Sequence, residues 1–350
     1  MRTEILGILA LAAVVAAACD SVPPTASTAS APPFRNLALV TLSGSNLLVV
    51  RDITDITQAK TVSTFAQLSQ PEFVNGNELS YIDYEHNSIV RVPLGGSPKT
   101  VVASSTQFAG YVDWMPDGIT LIYTTSNGDN SVMTLHEMRA GQDRTLASMP
   151  AVPGVGCESV AGCPTDTWDA RLLFSRDGNF ISFVNSIVKP TFRLWTSDGK
   201  LLKSTDLGSE SMSVWSGGSL YFRDAMGVEV WRNGVVSPFL PGVAWVRPKA
   251  SPVAGQIVYE VRDPERLSHT YVVDTNSRQV RDLGKAHAEP AFLNGRYIWY
   301  LGERACVEAD GCGARVAGVP NGKSYIYDLR DGTESESNIA SVVDVWPHAA

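Results

Sequence analysis

Hydrophobic positions after about residue 36 fall in short runs of β-branched and aromatic residues, each stopped by Gly, Asn or Asp. No stretch shows the apolar spacing of three and four residues that an amphipathic helix needs, so the pattern predicts an all-β chain. One turn recurs along it: Phe73-Val74-Asn75-Gly76, Trp114-Met115-Pro116-Asp117-Gly118, Phe174-Ser175-Arg176-Asp177-Gly178, Trp215-Ser216-Gly217-Gly218, Ala250-Ser251-Pro252 leading to Gly255, and Phe292-Leu293-Asn294-Gly295. Each turn leads into a strand with an aliphatic-aromatic ending: Leu79 to Ile82, Leu121 to Tyr123, Ile181 to Phe183, Leu220 to Phe222, Ile257 to Tyr259 and Ile298 to Tyr300. A second hairpin follows in each unit, as in Phe192 to Trp195, the turn Ser197-Asp198-Gly199 and Leu201 to Thr205. Asn233-Gly234, Thr275-Asn276 and Asp331-Gly332 hold the same place as that turn.

The turn glycines are spaced by 42, 60, 40, 37 and 40 residues. A period near 40 in an all-β chain is that of propeller blades: a lone four-stranded sheet leaves its faces wet, whereas radial stacking covers them. Phe34 to Ala350 is 317 residues, and two stretches read as insertions, Ser148 to Trp168 (21 residues) and Glu303 to Gly322 (20 residues). The remaining 276 residues make seven blades of about 40. Six turns mark only six blades, which leaves a six-bladed ring as the alternative. The seventh unit starts with Leu37 to Leu42 and Leu47 to Ile53 but lacks an inner strand; Val342 to Pro347 matches the missing pattern and is expected to close the first blade.

Phe-Ser-x-Asp-Gly followed by Ile-x-Phe, at Phe174 to Phe183, resembles the WD40-like repeat of the TolB β-propeller family, over nearly all of Asn36 to Trp346. Leu48 to Asp55 also resembles the repeat of a bacterial surface propeller group with Leu-Val-Ile-Val-Asp units. The resemblance implies a bacterial β-propeller lipoprotein; it identifies a fold and leaves function open.

The first segment of the 350-residue chain reads differently. Residues 1–18 form a signal peptide: Arg2, an apolar run from Ile5 to Val15, then Ala16-Ala17-Ala18 before Cys19. Cleavage at an Ala-x-Ala site is one reading. The single Cys after three small residues resembles a lipobox, which makes Cys19 the lipidated N-terminus. Residues 19–33 are then the lipidated Cys and a Ser/Thr/Pro/Ala-rich tether, and 34–350 the propeller. The expected location is extracytoplasmic, anchored by lipid to the bacterial cell membrane. With 44% hydrophobic residues, 18% charged residues and a formal net charge of −8, the chain is globular and carries no basic face for nucleic acid.

Four more cysteines form two Cys-x5-Cys pairs, Cys157 with Cys163 and Cys306 with Cys312, both within the insertions. Export favours local disulfides, each contributing roughly 2.4 kcal/mol by chain entropy. Zinc is the competing reading, but neither pair has CxxC spacing or a local His. Alternating strand direction places the between-blade insertion and the second-to-third-strand insertion on one face of the ring. That rim carries the candidate binding residues Glu85, His86, Asp129, Asp166, Trp168, Arg262, Asp263, Arg266, His269, Arg304, Glu308 and Asp310. Tolerated surface insertion is the plain alternative.

Catalytic motifs are absent: no Gly-x-Ser-x-Gly, His-Glu-x-x-His or Gly-x-Gly-x-x-Gly occurs. Gly318 to Ser324 is one residue short of a phosphate loop and enters a strand. His136 reads as an ordinary sheet residue, and His86, His269, His287 and His348 as solvated; the tryptophans read as blade core. Asp129 and Asp310 sit in Gly-containing loops without the ligand spacing of an EF-hand. No metal or cofactor is therefore expected, and the sequence names no catalytic residue. The leading expectation is a monomeric binding or scaffold module whose partner is an envelope protein or polymer. The alternative is a hydrolase or lyase acting on an envelope glycan or peptide through carboxylates at the channel mouth. A channel lined by small apolar residues argues against the enzyme; three or more converging carboxylates, Arg or His argue for it. A peptidase of the prolyl oligopeptidase type also begins with such a propeller, but its catalytic domain is not expected in the length at hand.

Overall fold

The computed structural model describes residues 36–66, 68–103, 108–115, 117–127, 132–150, 171–175, 178–185, 191–206, 213–253, 255–264, 267–307 and 318–348. The signal and tether positions, Cys19 among them, lie outside these residues, as do Cys157, Cys163, Cys312, Asp129, Asp166, Trp168, Arg266, Glu308 and Asp310. Arg35–Ala350 form one unit.

Seven antiparallel four-stranded sheets make up this unit. Blade 1 combines Leu37–Leu42, Leu48–Asp52 and Lys60–Phe65 with Ile339–Trp346 as its innermost strand. The other blades run from innermost to outermost strand in chain order. Blade 2 is Ser69–Asn75, Glu78–Asp83, Ser88–Pro93 and Lys99–Ala103; blade 3 is Phe108–Trp114, Leu121–Ser126, Val132–Arg139 and Gln142–Pro150. Blade 4 is Arg171–Phe174, Phe180–Asn185, Thr191–Thr196 and Leu201–Asp206; blade 5 is Ser213–Ser216, Ser219–Asp224, Gly227–Arg232 and Val235–Pro241. Blade 6 is Val246–Ala250, Gln256–Arg262, Ser268–Asp274 and Val280–Lys285; blade 7 is His287–Phe292, Tyr297–Arg304, Val319–Asp328 and Glu334–Ser337. The count is seven, and the ring closes as the sequence predicts: Leu37 pairs with Trp346 and Leu39 with Asp344. The only helical element among the described residues is the 3-10 turn Ile56–Gln58.

The recurring turn works because an Asp or Asn side chain replaces backbone partners that a tight reversal leaves unpaired. Asp117 Oδ1 accepts from the amides of Ile119 (2.9 Å) and Thr120 (2.8 Å), while Gly118 takes φ +63°. Asn294 does the same for Arg296 (2.8 Å) and Tyr297 (3.0 Å). The turn thereby fixes the register of the following strand, whose alternating side chains fill the seams on either side of the blade.

The core lies in those seams. Leu37, Leu39, Phe73 and Leu79 join blades 1 and 2; Val74, Ile82, Trp114 and Leu121 join blades 2 and 3. Val230, Trp245 and Tyr259 join blades 5 and 6, and Ala38, Val40, Leu293 and Trp299 join blade 7 back to blade 1. Each buried Leu, Val or Phe contributes roughly 2 kcal/mol. Two indoles add cross-blade bonds, Trp215 to Ser182 Oγ (3.0 Å) and Trp299 to the Ile339 carbonyl (3.1 Å).

The innermost strands are irregular, and this shapes the channel. Register breaks between Ser69 and Glu72, Val246 and Lys249, and Ala288 and Ala291. At each break a residue with positive φ precedes a proline: Gln70 (50°) before Pro71, Arg247 (49°) before Pro248, Glu289 (54°) before Pro290. Proline donates no backbone hydrogen bond, so it is tolerated on the free inner edge of a blade at a bulge. The bulges set polar residues against the ring axis.

Candidate functional site in the central channel

A cavity of about 520 Å³ is lined by the innermost strands of blades 1, 2, 3, 5, 6 and 7. One wall carries Glu72, Asp113, Asp344 and His348 from blades 1 to 3; the other carries Arg247, Lys249 and Glu289 from blades 6 and 7. Apolar residues, including Val214, Trp215, Ala250, Phe292 and Val342, fill the space between. The volume is that of a small-molecule site.

Glu72 and Asp113 face each other through a side-chain hydrogen bond, so the pair keeps a proton. Burial is the main cause: it pushes Asp113 up to about 7 and, with the charges of Asp113 and Asp344, holds Glu72 well above the usual carboxylate range. Asp344 is fully engaged. Its Oδ2 accepts from the Phe73 amide of blade 2 (2.6 Å) and lies 3.0 Å from His348 Nε2, while its Oδ1 accepts from the Val345 amide (2.8 Å). Burial opposes a charge on His348, but the Asp344 and Asp113 carboxylates outweigh it and raise the imidazole above its ordinary value. Three buried polar atoms of lining residues lack a hydrogen-bond partner: Glu72 Oε1, Trp114 Nε1 and Ser213 Oγ.

On the opposite wall, a chain of charges runs outward from the channel. Arg247 lies 3.7 Å from Glu289 and 3.5 Å from the fully buried Glu260, and Glu260 also accepts from Ser268 Oγ (2.7 Å) and the Glu289 amide (2.8 Å). Arg262 lies 3.9 Å from Glu260 and donates to Glu303 of blade 7 (3.0 Å). The chain links the channel mouth to the loops between second and third strands.

Strand order places the rim loops on one face, since second strands end and innermost strands begin there. The segment 151–170 joins blades 3 and 4, and 305–318 joins the second and third strands of blade 7. Of the rim residues picked from sequence, Glu85 and His86 are exposed, and His86 Nδ1 sits 2.8 Å from Asp83, which raises its pKa. Arg262 is instead drawn into the seam between blades 6 and 7, and Asp263 is tied back within blade 6, accepting from the Leu267 amide (2.9 Å) and lying 3.3 Å from Lys285. His269 pairs with Asp282 (2.7 Å) and stacks on Tyr271, and Arg304 ends its strand exposed. Cys306 is disulfide-bonded; the other four cysteines lie outside the described residues.

The histidines correct the sequence reading. Only His86 is solvated as expected; His348 lines the channel, His269 is mostly covered, and His287 stacks on Tyr300 with burial pushing its pKa down to about 4. His136 is a sheet residue stacked on Tyr123, and six tryptophans, Trp114, Trp195, Trp215, Trp231, Trp245 and Trp299, are buried in the blades. Lys323, in the phosphate-loop look-alike, lies in a strand and pairs with Glu336 (2.8 Å). Sequence reading missed the channel residues altogether; the signal was the proline shared by Gln70-Pro71-Glu72, Arg247-Pro248-Lys249 and Glu289-Pro290-Ala291.

No protein-family model and no curated protein matches the chain. Among solved structures, it is similar to the β-propeller domain of the Trilobed protease from Pyrococcus furiosus, with 13% identity and a TM-score of 0.50 over 78% of this chain and 84% of that one. It is similar to a prolyl endopeptidase at 11% identity and a TM-score of 0.54, over 87% of this chain but 50% of the peptidase. TolB from Acinetobacter baumannii matches at 14% identity and a TM-score of 0.44, covering 88% of this chain and 80% of that one. Identities this low speak to the fold. Seven four-stranded blades closed by the C-terminal strand agree with the TolB-like propeller reading of the repeat. Among the described residues, no helix is long and apolar enough to cross a membrane.

Proposed function

We propose that the protein is a binding module of the bacterial cell envelope, held outside the cytoplasm by lipid on Cys19 and taking its ligand at the channel. The carrying observation is the cavity of about 520 Å³ with a carboxylate-rich wall and a wall of paired charges around Arg247, Lys249 and Glu289, built on the innermost strands of a closed ring. Rigid strands hold these groups in place, which keeps the ordering cost of binding low. Ala16-Ala17-Ala18-Cys19 supports the anchor. The rim residues Glu85, His86 and Arg304, with Asp129, Asp166, Trp168, Arg266, Glu308 and Asp310, would form an outer contact surface, pinned by the disulfides Cys157–Cys163 and Cys306–Cys312.

The test compares three forms expressed in the native envelope: the unaltered chain, Cys19→Ser and Arg247→Ala. Globomycin should cause the precursor to accumulate, and Cys19→Ser should leave the detergent phase. Crosslinked partners or ligands should be recovered with the unaltered chain and be reduced with Arg247→Ala at equal abundance. Membrane retention of Cys19→Ser refutes the anchor, and equal recovery with Arg247→Ala refutes the channel as the site.

A hydrolase or lyase is the second reading, favoured by the proton shared between Glu72 and Asp113 beside His348. A protonated carboxyl next to a base is the pairing that general acid–base chemistry uses. Release of product from envelope glycan or peptide that disappears in Asp113→Asn would establish it.

A further inference from the structure

We propose that Glu260 is the positioning residue for the channel wall of Arg247 and Glu289, and that Glu303, at the root of the rim connection 305–318, sets Glu260 in turn. For binding, this deepens the reading of the channel as the ligand site and rests on it.

Two carboxylates form the relay. Glu260, on the second strand of blade 6, is fully buried, and Glu303, on the second strand of blade 7, is nearly so. The oxygens of Glu260 divide between two neighbourhoods. Oε1 accepts from the Glu289 amide (2.8 Å) and lies 3.5 Å from Arg247, both at the channel. Oε2 accepts from Ser268 Oγ (2.7 Å) and lies 3.9 Å from Arg262, both toward the rim. Glu303 holds those same two rim-side residues, its Oε1 accepting from Arg262 (3.0 Å) and its Oε2 from the Ser268 amide (2.7 Å). Ser268 and Arg262 thus bridge the two carboxylates in parallel, so a change at Glu303 reaches Glu260 through both.

The channel end needs this support. Arg247 and Glu289 stand at the register breaks of two adjacent innermost strands, with φ of 49° and 54°, in front of Pro248 and Pro290. Backbone of this kind persists only where its surroundings hold it. A bulged residue falls out of the ladder, and for the Glu289 amide Glu260 supplies the acceptor.

Charge gives the relay its direction. Arg262 is bonded to Glu303 and stands farther from Glu260. Without the Glu303 charge, Glu260 becomes the carboxylate that Arg262 seeks, and Arg262 then competes with Arg247 and the Glu289 amide for it. The wall loosens although no channel residue has changed. Gly318 bears on the same point, because a Cβ there would stand 3.0 Å from Glu303 Oε2 and 2.7 Å from Leu267 Cδ2. The chain returning from the rim connection therefore lies directly against the oxygen that receives the Ser268 amide.

Amide hydrogen exchange of the full chain, resolved by NMR, tests this at Glu289, with Phe73 as the reference because Asp344 holds its amide (2.6 Å) on the opposite wall. Glu303→Gln should speed exchange at Glu289 by about tenfold, as expected when a hydrogen bond to a charged group is lost, and should leave Phe73 within about twofold. Arg304→Gln, at the exposed end of the same strand, should leave both amides unchanged. Denaturant unfolding adds a cycle: Arg247→Met and Glu303→Gln, at the two ends of the relay, should together destabilise by clearly less than the sum of their separate effects. Should Glu303→Gln fold poorly, Gly318→Ala replaces it in both measurements, with changes in the same direction. Unchanged exchange at Glu289, equal acceleration at Phe73, the same acceleration in Arg304→Gln, or an additive cycle would overturn the proposal. Exchange needs no ligand, so those outcomes leave the channel standing as the binding site, and a channel that fails the Arg247→Ala recovery test leaves the positioning intact.

Discussion

Asp113 shows how one buried carboxyl ties the channel to stability. In the fold it titrates near 7, whereas in an unfolded chain it ionises in the ordinary carboxylate range. The fold therefore favours its protonated form, and that contribution is complete below the ordinary range and is lost as pH rises toward 7. His287 has the opposite sign. Burial depresses it to about 4, so its contribution is present above the ordinary histidine value and is lost as pH falls toward 4. Melting temperature followed from pH 4 to pH 8 should reveal both. Asp113→Asn should lift stability at pH 8 by on the order of 2 kcal/mol, while the raised Glu72 and His348 and the depressed His287 continue to shape the rest of the profile. A variant whose profile matches that of the unaltered chain would mean that Asp113 ionises normally. None of this was legible in the sequence. Asp113 precedes the turn residue Trp114 like any polar residue on an edge strand, and the Asp344 that faces Phe73 stands 271 positions away.

Innermost strands and seams set the cost of substitutions. Arg262 was picked from sequence as a rim contact, but it neutralises Glu303 and stands near the fully buried Glu260. Arg262→Met should cost about 3 kcal/mol in denaturant unfolding, because it strands buried carboxylates. Arg144→Met, which breaks a more exposed strand pair with Glu137, should cost less than about 1 kcal/mol. Equal effects would show that the blade 6–7 charges are solvated. Gly76 makes a steric counterpart: a Cβ there would stand 2.9 Å from the Trp346 indole nitrogen, so Gly76→Ala should destabilise by about 1–3 kcal/mol. The second strands were readable because turn and strand recur together, from Leu79 to Tyr300. The bulges were not, since a proline in a strand-like run reads as a breaker until the free inner edge of a blade explains it.

Across the whole ring, the period near 40 sufficed to count blades, and the unmatched Val342 to Pro347 foretold the closure. The channel escaped because its walls come from six blades and converge only once the ring is complete. The insertions read from sequence overran the blades, since residues 148–150, 303–304 and 319–322 lie in strands; replacing Cys157, Cys163, Cys306 and Cys312 together by Ser should still lower the melting temperature only slightly, because all four fall in the connections 151–170 and 305–318 between strand ends. A large drop, read by scanning calorimetry, would mean that the insertions belong to the cooperative core. Blade 1 carries a mechanical consequence as well. Any tension on the segment ahead of Asn36 enters at Leu37–Leu42, a strand bonded to Leu48–Asp52 on one side and to Ile339–Trp346 on the other. The load is thus shared by the first and last strands of the ring at once, and a propeller tugged by its leading end cannot shed its first strand as a loose edge.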